Sequence, residues 1–273
     1  MDLGLGDAVA LVTGASGGIG AGVARQLAAE GARVVLHAHA NTAAAELLAA
    51  DLPTESLVVT ADLRDEAAVA GMFEQVVERF GRGDALVANA GVSAAHGESV
   101  RDLSLATFEA DLAVNLRGTF LCLREFFRLV ERQRSGRAVL IGSTAGRFGE
   151  AGNAGYAASK AALRGLMLSL KNELTRVAPY AAVNLVGPGW VVTPMMRGVE
   201  ADEVLASFQT RAIAAGVPRP EDVAPLVAFL CSDRCARFVC GQSVYVDGGM
   251  EGRVLHAPEE LAALRREIER IGR

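Results

Sequence analysis

Lysine is nearly missing from this chain: of its 27 Lys and Arg residues only Lys160 and Lys171 are lysine. A random basic position here is an arginine, so a lysine inside a motif is an unusual choice. Basic charge as a whole is in deficit, 27 against 32 acidic residues, for a formal net charge of -5 and a pI near 5.5. With no Arg-rich stretch interleaved with aromatics, nothing is left over to neutralise a phosphate backbone, and no nucleic-acid partner is expected. Uninterrupted apolar runs of the roughly 18 residues that a membrane helix needs do not occur. No basic leader precedes an apolar run at the N-terminus, so the expectation is a cytoplasmic protein with no membrane partner. Cysteine is scarce, and Cys231, Cys235 and Cys240 lack the paired spacing of zinc sites; with Cys122 they read as reduced thiols, and no metal is expected. No Pro/Ser-rich linker divides the chain and no repeat runs through it, which favours one domain.

What the chain does have is a packable composition, 51% hydrophobic and 22% charged, and a regular rhythm. Short β-branched runs at 8–14, 33–38, 56–62, 84–91, 137–143, 181–187 and 243–249 alternate with longer Ala- and Leu-rich amphipathic stretches. That pattern predicts a single doubly wound α/β Rossmann-type domain over 1–249, with a seven-stranded parallel sheet flanked by helices. Two segments break the rhythm. Residues 194–218 have the mixed polarity of a mobile helical flap over a pocket. The extension at 250–273 places Leu261, Leu264, Ile268 and Ile271 at helical spacing, an apolar stripe that needs a partner in its own domain or in another subunit.

Thr13-Gly14-Ala15-Ser16-Gly17-Gly18-Ile19-Gly20 lies between the first strand and a helix expected from about Ala21, where a dinucleotide-binding turn belongs. Glycine permits the tight turn, lets a pyrophosphate approach backbone N–H groups, and sets the positive end of the helix against it, which singles out Gly14, Gly18 and Gly20. After the second strand, NAD sites carry a carboxylate for the adenosine ribose. Here the stretch is His37-Ala38-His39-Ala40-Asn41. Without a carboxylate, and with His39 and Asn41 able to donate hydrogen bonds, the site favours NADP(H) over NAD(H). Arg25 and Arg33 are close by in sequence.

Tyr156 and Lys160, four residues apart, share a helix face, so an ammonium stands beside a phenol that can trade protons with an alcohol. Ser143 ends the fifth strand at the carboxyl edge of the sheet, where its hydroxyl can polarise a carbonyl. The competing readings are a plain surface Tyr/Lys pair and a turn serine.

With these residues in place the chain resembles the short-chain dehydrogenase/reductase family over about residues 7–249. Residues 13–20, including Ser16 and Ile19, are similar to its cofactor turn, Asp62-Leu63 to its adenine contact, Asn89-Ala90-Gly91 to its central-strand motif, and Asn115, Ser143, Tyr156 and Lys160 to its catalytic tetrad. The resemblance implies that Tyr156 is the acid/base. It also implies that Lys160 binds the nicotinamide ribose and lowers the phenol's pKa, and that Asn115 holds a water behind Lys160. Pro188, Gly189, Val191 and Thr193 would hold the nicotinamide amide, with Trp190 near it. The nearest pattern is that of the 3-oxoacyl-[acyl carrier protein] reductases and related ketoreductases, usually NADPH-dependent homotetramers. The implied partner is a small carbonyl/alcohol substrate, free or thioester-linked, and the implied assembly a homotetramer or homodimer. Of two arginines those reductases use to grip the carrier protein, Arg128 matches the first, whereas Asn172, with Lys171 beside it, stands at the second. A substrate pocket is expected from residues 94–98, 144–148, Glu150 and the flap. The alternatives are an NAD(H)-dependent alcohol or sugar dehydrogenase and a non-catalytic nicotinamide-binding regulator.

Overall fold

Seven parallel strands form where the apolar runs predict them: β1 Val9–Val12, β2 Arg33–Ala38, β3 Ser56–Thr60, β4 Ala85–Ala88, β5 Arg137–Ile141, β6 Ala182–Pro188 and β7 Ser243–Val246. They lie in one sheet in the order β3-β2-β1-β4-β5-β6-β7. Every neighbouring pair is parallel, for example Leu11 opposite Val35 and Val139 opposite Asn184. The computed structural model describes residues 1–95, 97–196, 199–251 and 253–271, and leaves the side chain of Glu203 undescribed. His96 of the expected pocket, Arg197 and Gly198 of the flap, and Gly252, Gly272 and Arg273 of the extension therefore lie outside the described residues.

The helices are α1 Gly18–Ala29, α2 Thr42–Asp51, α3 Glu66–Phe80, α4 Leu105–Leu112, α5 Thr119–Gln133, α6 Ala145–Phe148, α7 Ala154–Val177, α8 Ala201–Phe208, α9 Pro220–Cys231 and α10 Ala262–Ile271. Among the described residues none is long and apolar enough to cross a membrane. Alternation along each strand feeds two cores. Ala10 and Val12 of β1 face Val23 and Leu27 of α1 and Val227 of α9. Val9 and Leu11 face the other way, toward Met72 of α3, Phe126 of α5 and Met167 of α7. Burial on both faces is why these strands read as continuous apolar runs. Gly22 lets α1 lie against the start of α9, because a Cβ there would sit 2.6 Å from Pro220 Cβ.

A third, smaller core lies off the sheet. Val204, Leu205 and Phe208 of α8 pack with Met196, Val217 and the tail residues Leu261, Leu264 and Ile268, with Ile271 and Trp190 against them. The tail stripe thus finds its partner within its own chain, on α8 and the residues around it. Strand order reverses between β1 and β4, and the crevice opens at their carboxyl ends, where doubly wound sheets bind ligands.

Candidate active site

The turn after β1 is held from both sides. Asn89, just past β4, donates its Nδ2 hydrogens to the carbonyls of Thr13 (2.9 Å) and Gly14 (3.1 Å), and the Thr13 hydroxyl accepts the N–H groups of Asn89 and Ala90, both at 3.0 Å. From the β2 side the Gly14 N–H donates to His37 Nδ1 at 3.1 Å. The Asn89 side chain is committed to bracing the turn, and the Gly14 N–H is taken by His37, so neither is a free donor for phosphate. Gly20 must be glycine because a Cβ would overlap the Gly14 carbonyl oxygen and Asn89 Nδ2. Gly18, at φ 56°, lies against Thr193, which joins this turn to the loop after β6. α1 starts at Gly18, earlier than Ala21, and has no acidic residue in its first turn, leaving its positive end open to an anion. Ser16 and Ile19 lie half-buried on the same turn. These features fit a dinucleotide phosphate.

Beyond β2, His39 and Asn41 are exposed, as a site for a ribose phosphate requires. A carboxylate nevertheless stands close: His39 Nε2 is 3.8 Å from Asp62 Oδ2. Asp62 is gripped by Arg64, whose Nε and Nη2 reach both carboxylate oxygens at 2.7 to 3.0 Å and hold its pKa down to about 2. Arg64 is a cation the sequence reading missed, because its pairing with Asp62 turns on the local bend of the loop after β3. Arg25 and Arg33 point elsewhere, to Asp51 and to the Asp7 carbonyl. Leu63 is buried, and Gly118 leaves it room: a Cβ there would lie 2.9 Å from Leu63 Cβ.

The catalytic candidates converge at the carboxyl end of β5. Tyr156 and Lys160 stand one turn apart on α7, and the Tyr156 side chain hydrogen-bonds Ser143. Lys160 is buried and donates to the Ile141 carbonyl at 2.9 Å, with its Nζ 5.7 Å from the Tyr156 ring centre. Burial lowers the Lys160 pKa to about 8. Tyr156 moves the other way. Burial pushes its phenol up to about 12, the Ser143 bond pulls it down, and the charges of Glu150 and Asp111 push it up further. Desolvation dominates at this phenol, and the Lys160 ammonium is bonded to a backbone carbonyl. Tyr156 is held as a proton donor.

Asn115 comes into place through a π-turn, Ala113–Gly118, that joins α4 to α5. A π-turn inserts an extra residue and re-aims the side chains beyond it, a feature no hydrophobic periodicity reveals. Asn115 Nδ2 donates to the Val92 carbonyl (2.8 Å) and Ser159 Oγ (3.0 Å), and its Oδ1 accepts the Val92 N–H (2.8 Å). Ser159, which sequence reasoning missed, passes the link on to the Tyr156 carbonyl at 2.7 Å. Gly91 lies between Asn115 and Lys160: a Cβ there would be 3.2 Å from both Asn115 Oδ1 and Lys160 Nζ. At the end of β6, the Pro188 carbonyl accepts the Thr144 N–H, and beyond it the Gly189 N–H donates to the Val246 carbonyl and Val191 is buried.

A cavity of about 510 Å³ is lined by Gly97, Ser99, Val100, Glu150, Ala151, Gly152 and Ala154. Gly97 and Glu150 were expected there. Residues 144–148 do not line it: Thr144 and Ala145 are buried, and the Arg147 guanidinium lies over the Tyr245 ring of β7. Ser93 Oγ bonds Asn153 Oδ1, and Asn153 Nδ2 bonds Glu150, so a polar chain runs behind the cavity.

Residues 14–251 match the family model described as Enoyl-(Acyl carrier protein) reductase. The chain is 35% identical over 245 residues to a 3-oxoacyl-[acyl-carrier-protein] reductase of Synechocystis sp., covering 89% of this chain and 96% of that protein. It is 38% identical over 243 residues to a cis-4-hydroxycyclohexanecarboxylate dehydrogenase of Sinomonas cyclohexanicum, covering 88% and 95%. Among solved structures it superposes with a TM-score of 0.81 and 35% identity on a short chain dehydrogenase from Burkholderia cenocepacia in complex with NADP, covering 90% of this chain and 98% of that one. With the doubly wound sheet, the glycine turn and the Ser143–Tyr156–Lys160 cluster, these matches establish that the chain belongs to the short-chain dehydrogenase/reductase family of oxidoreductases.

Proposed function

We propose that this chain is an NADP(H)-dependent ketoreductase, transferring a hydride between the nicotinamide and a ketone/secondary alcohol pair. The observation that carries the reading is the half-buried Tyr156 phenol, bonded to Ser143 and held in its protonated form, one helical turn from Lys160. When bound, a reduced nicotinamide supplies the hydride. Ser143 and Tyr156 hydrogen-bond the carbonyl oxygen as negative charge develops on it. Tyr156 gives that oxygen its proton, so the product carries one new C–H and one new O–H bond, and the phenolate left behind is stabilised by the nearby Lys160 ammonium until it is reprotonated. Asn115 and Ser159 fix the backbone of Tyr156 from behind.

NADP(H) is favoured because Asp62, the carboxylate nearest His39, is neutralised by Arg64, and because His39 and Asn41 are open to donate. The Burkholderia relative's complex with NADP agrees with this preference. Carrier-protein dependence is not favoured: Arg128 is paired with Glu125, and Lys171 with Asn172. We read the substrate as a small ketone or a simple thioester, the cellular site as the cytoplasm and the assembly as a homotetramer or homodimer. An NAD(H)-dependent alcohol dehydrogenase is the second reading, favoured by Asp62 lying within 4 Å of His39.

The test is nicotinamide absorbance with an acetoacetyl thioester and a panel of cyclic and aromatic ketones, with NADPH and NADH in parallel. Turnover is expected with NADPH on at least one member. Tyr156→Phe is expected to lose about a thousandfold in kcat while still binding cofactor. Faster turnover with NADH overturns the cofactor preference, and substantial activity in Tyr156→Phe overturns the mechanism.

A further inference from the structure

His37 is 2% exposed at the end of β2 and makes two bonds through its ring. The Gly14 N–H donates to Nδ1 at 3.1 Å, and Nε2 lies 3.0 Å from the Ala61 carbonyl oxygen. An N–H can donate only to a bare ring nitrogen, and a carbonyl oxygen can only accept, so the two contacts fix the ring as the neutral Nε2–H tautomer. Its backbone joins in, since the His37 carbonyl accepts the Ala15 N–H at 2.9 Å. One residue therefore spans the glycine turn after β1 and the loop after β3, the two segments that flank the adenosine half of the site.

We propose that His37 is a positioning residue for cofactor binding, a neutral cross-brace that sets the glycine turn against the Asp62 loop before the dinucleotide arrives. This rests on the nicotinamide reading of the site. Without the acceptor at Nδ1, the part-buried Gly14 N–H loses its partner and the left-handed turn, φ 65° at Gly14, loses its one side-chain bond from the β2 side. The surroundings favour the neutral ring. The turn at 13–20 carries no charged side chain, burial and then the nearby His39 push the His37 pKa below 6.5 against the opposing pull of the Ala61 bond, and Asp62, beside His39, is paired with Arg64.

The experiment combines two readouts. Nitrogen-15 NMR of histidine-labelled wild-type protein is expected to show His37 as the Nε2–H tautomer, still neutral at pH 6 where a free imidazole is mostly charged. An Nδ1–H tautomer or an imidazolium at that pH overturns the proposal, and this result does not depend on any cofactor. NADPH titration followed by Trp190 fluorescence is the second readout. His37→Phe, which keeps a ring but neither bond, is expected to raise the NADPH Kd about tenfold with kcat at saturation within about twofold, and His37→Asn, which restores an acceptor near Nδ1, to recover most of the loss. Wild-type affinity in His37→Phe, or a loss falling equally on kcat, overturns it. If His37→Phe does not fold, His37→Asn binding within about threefold of wild type supports the brace and a tenfold loss refutes it. Wild-type protein that binds neither NADPH nor NADH refutes the nicotinamide reading instead, and the NMR result stands apart.

Discussion

Lys160 carries its charge where charges are costly. Its pKa is lowered from 10.5 to about 8 by burial, so between those values the unfolded chain binds a proton that the native chain has released. Native stability therefore rises with pH across that window, and at pH 7 the desolvation cost is fully present. Lys160→Met is expected to be more stable than wild type at pH 7 by on the order of 2 kcal/mol, to lose that advantage as pH rises toward 10, and to be inactive. Thermal unfolding at the two pH values checks this, and a less stable variant at pH 7 would mean that the bond to Ile141 outweighs desolvation. The same shift predicts that reduction by the wild type declines as pH rises through about 8, where the ammonium is lost. Tyr156, Lys160 and Ser143 were legible in the sequence because four-residue spacing and a strand end fix their placement locally. His37, Arg64 and Ser159 were not: His37 meets Gly14 across 23 positions and Ser159 meets Asn115 across 44, and nothing in either neighbourhood announces the other.

The strands were the most readable elements, since burial on both faces of the sheet writes an apolar run that short turns punctuate. The π-turn at Ala113–Gly118 was not readable, because the sequence through it is ordinary helix and only the packing of Gly118 on Leu63 marks the place. The C-terminal stripe was readable as a helix but not its destination. That destination is α8: Leu264 and Ile268 are buried against it, Arg265 pairs with Asp202, and the tail backbone bonds residues 209–213, with Leu255 N–H on the Gln209 carbonyl at 2.7 Å and Glu251 N–H on the Thr210 carbonyl at 2.8 Å. Of these the exposed ion pair contributes least, and apolar burial most. Removing residues 251–273 is expected to raise the substrate KM severalfold, because α8 loses its backing, while the NADPH Kd stays within about twofold, because among the described residues the glycine turn touches none of the tail. Steady-state kinetics and cofactor titration on the truncated chain check both, and a weakened cofactor with an unchanged KM would contradict the assignment. Leu264→Ala alone is expected to cost about 2 to 5 kcal/mol of local packing.

At the scale of the molecule, the sheet's two cores share strands, so they cannot separate without unfolding together, whereas the third core shares none. The flap and the tail form a unit with its own cohesion, and such units open at lower free energy than the whole. Amide hydrogen exchange is expected to show residues 201–213 and 253–271 losing protection together, faster than β1, β4 and β5 and with one common opening rate; independent rates for the two segments would contradict this. The C-terminal helix is then half of a two-part packing unit, with α8 as the other half. A change at Leu264 or Ile268 would therefore be felt first at α8, on the opposite side of that small core, before the sheet registered it.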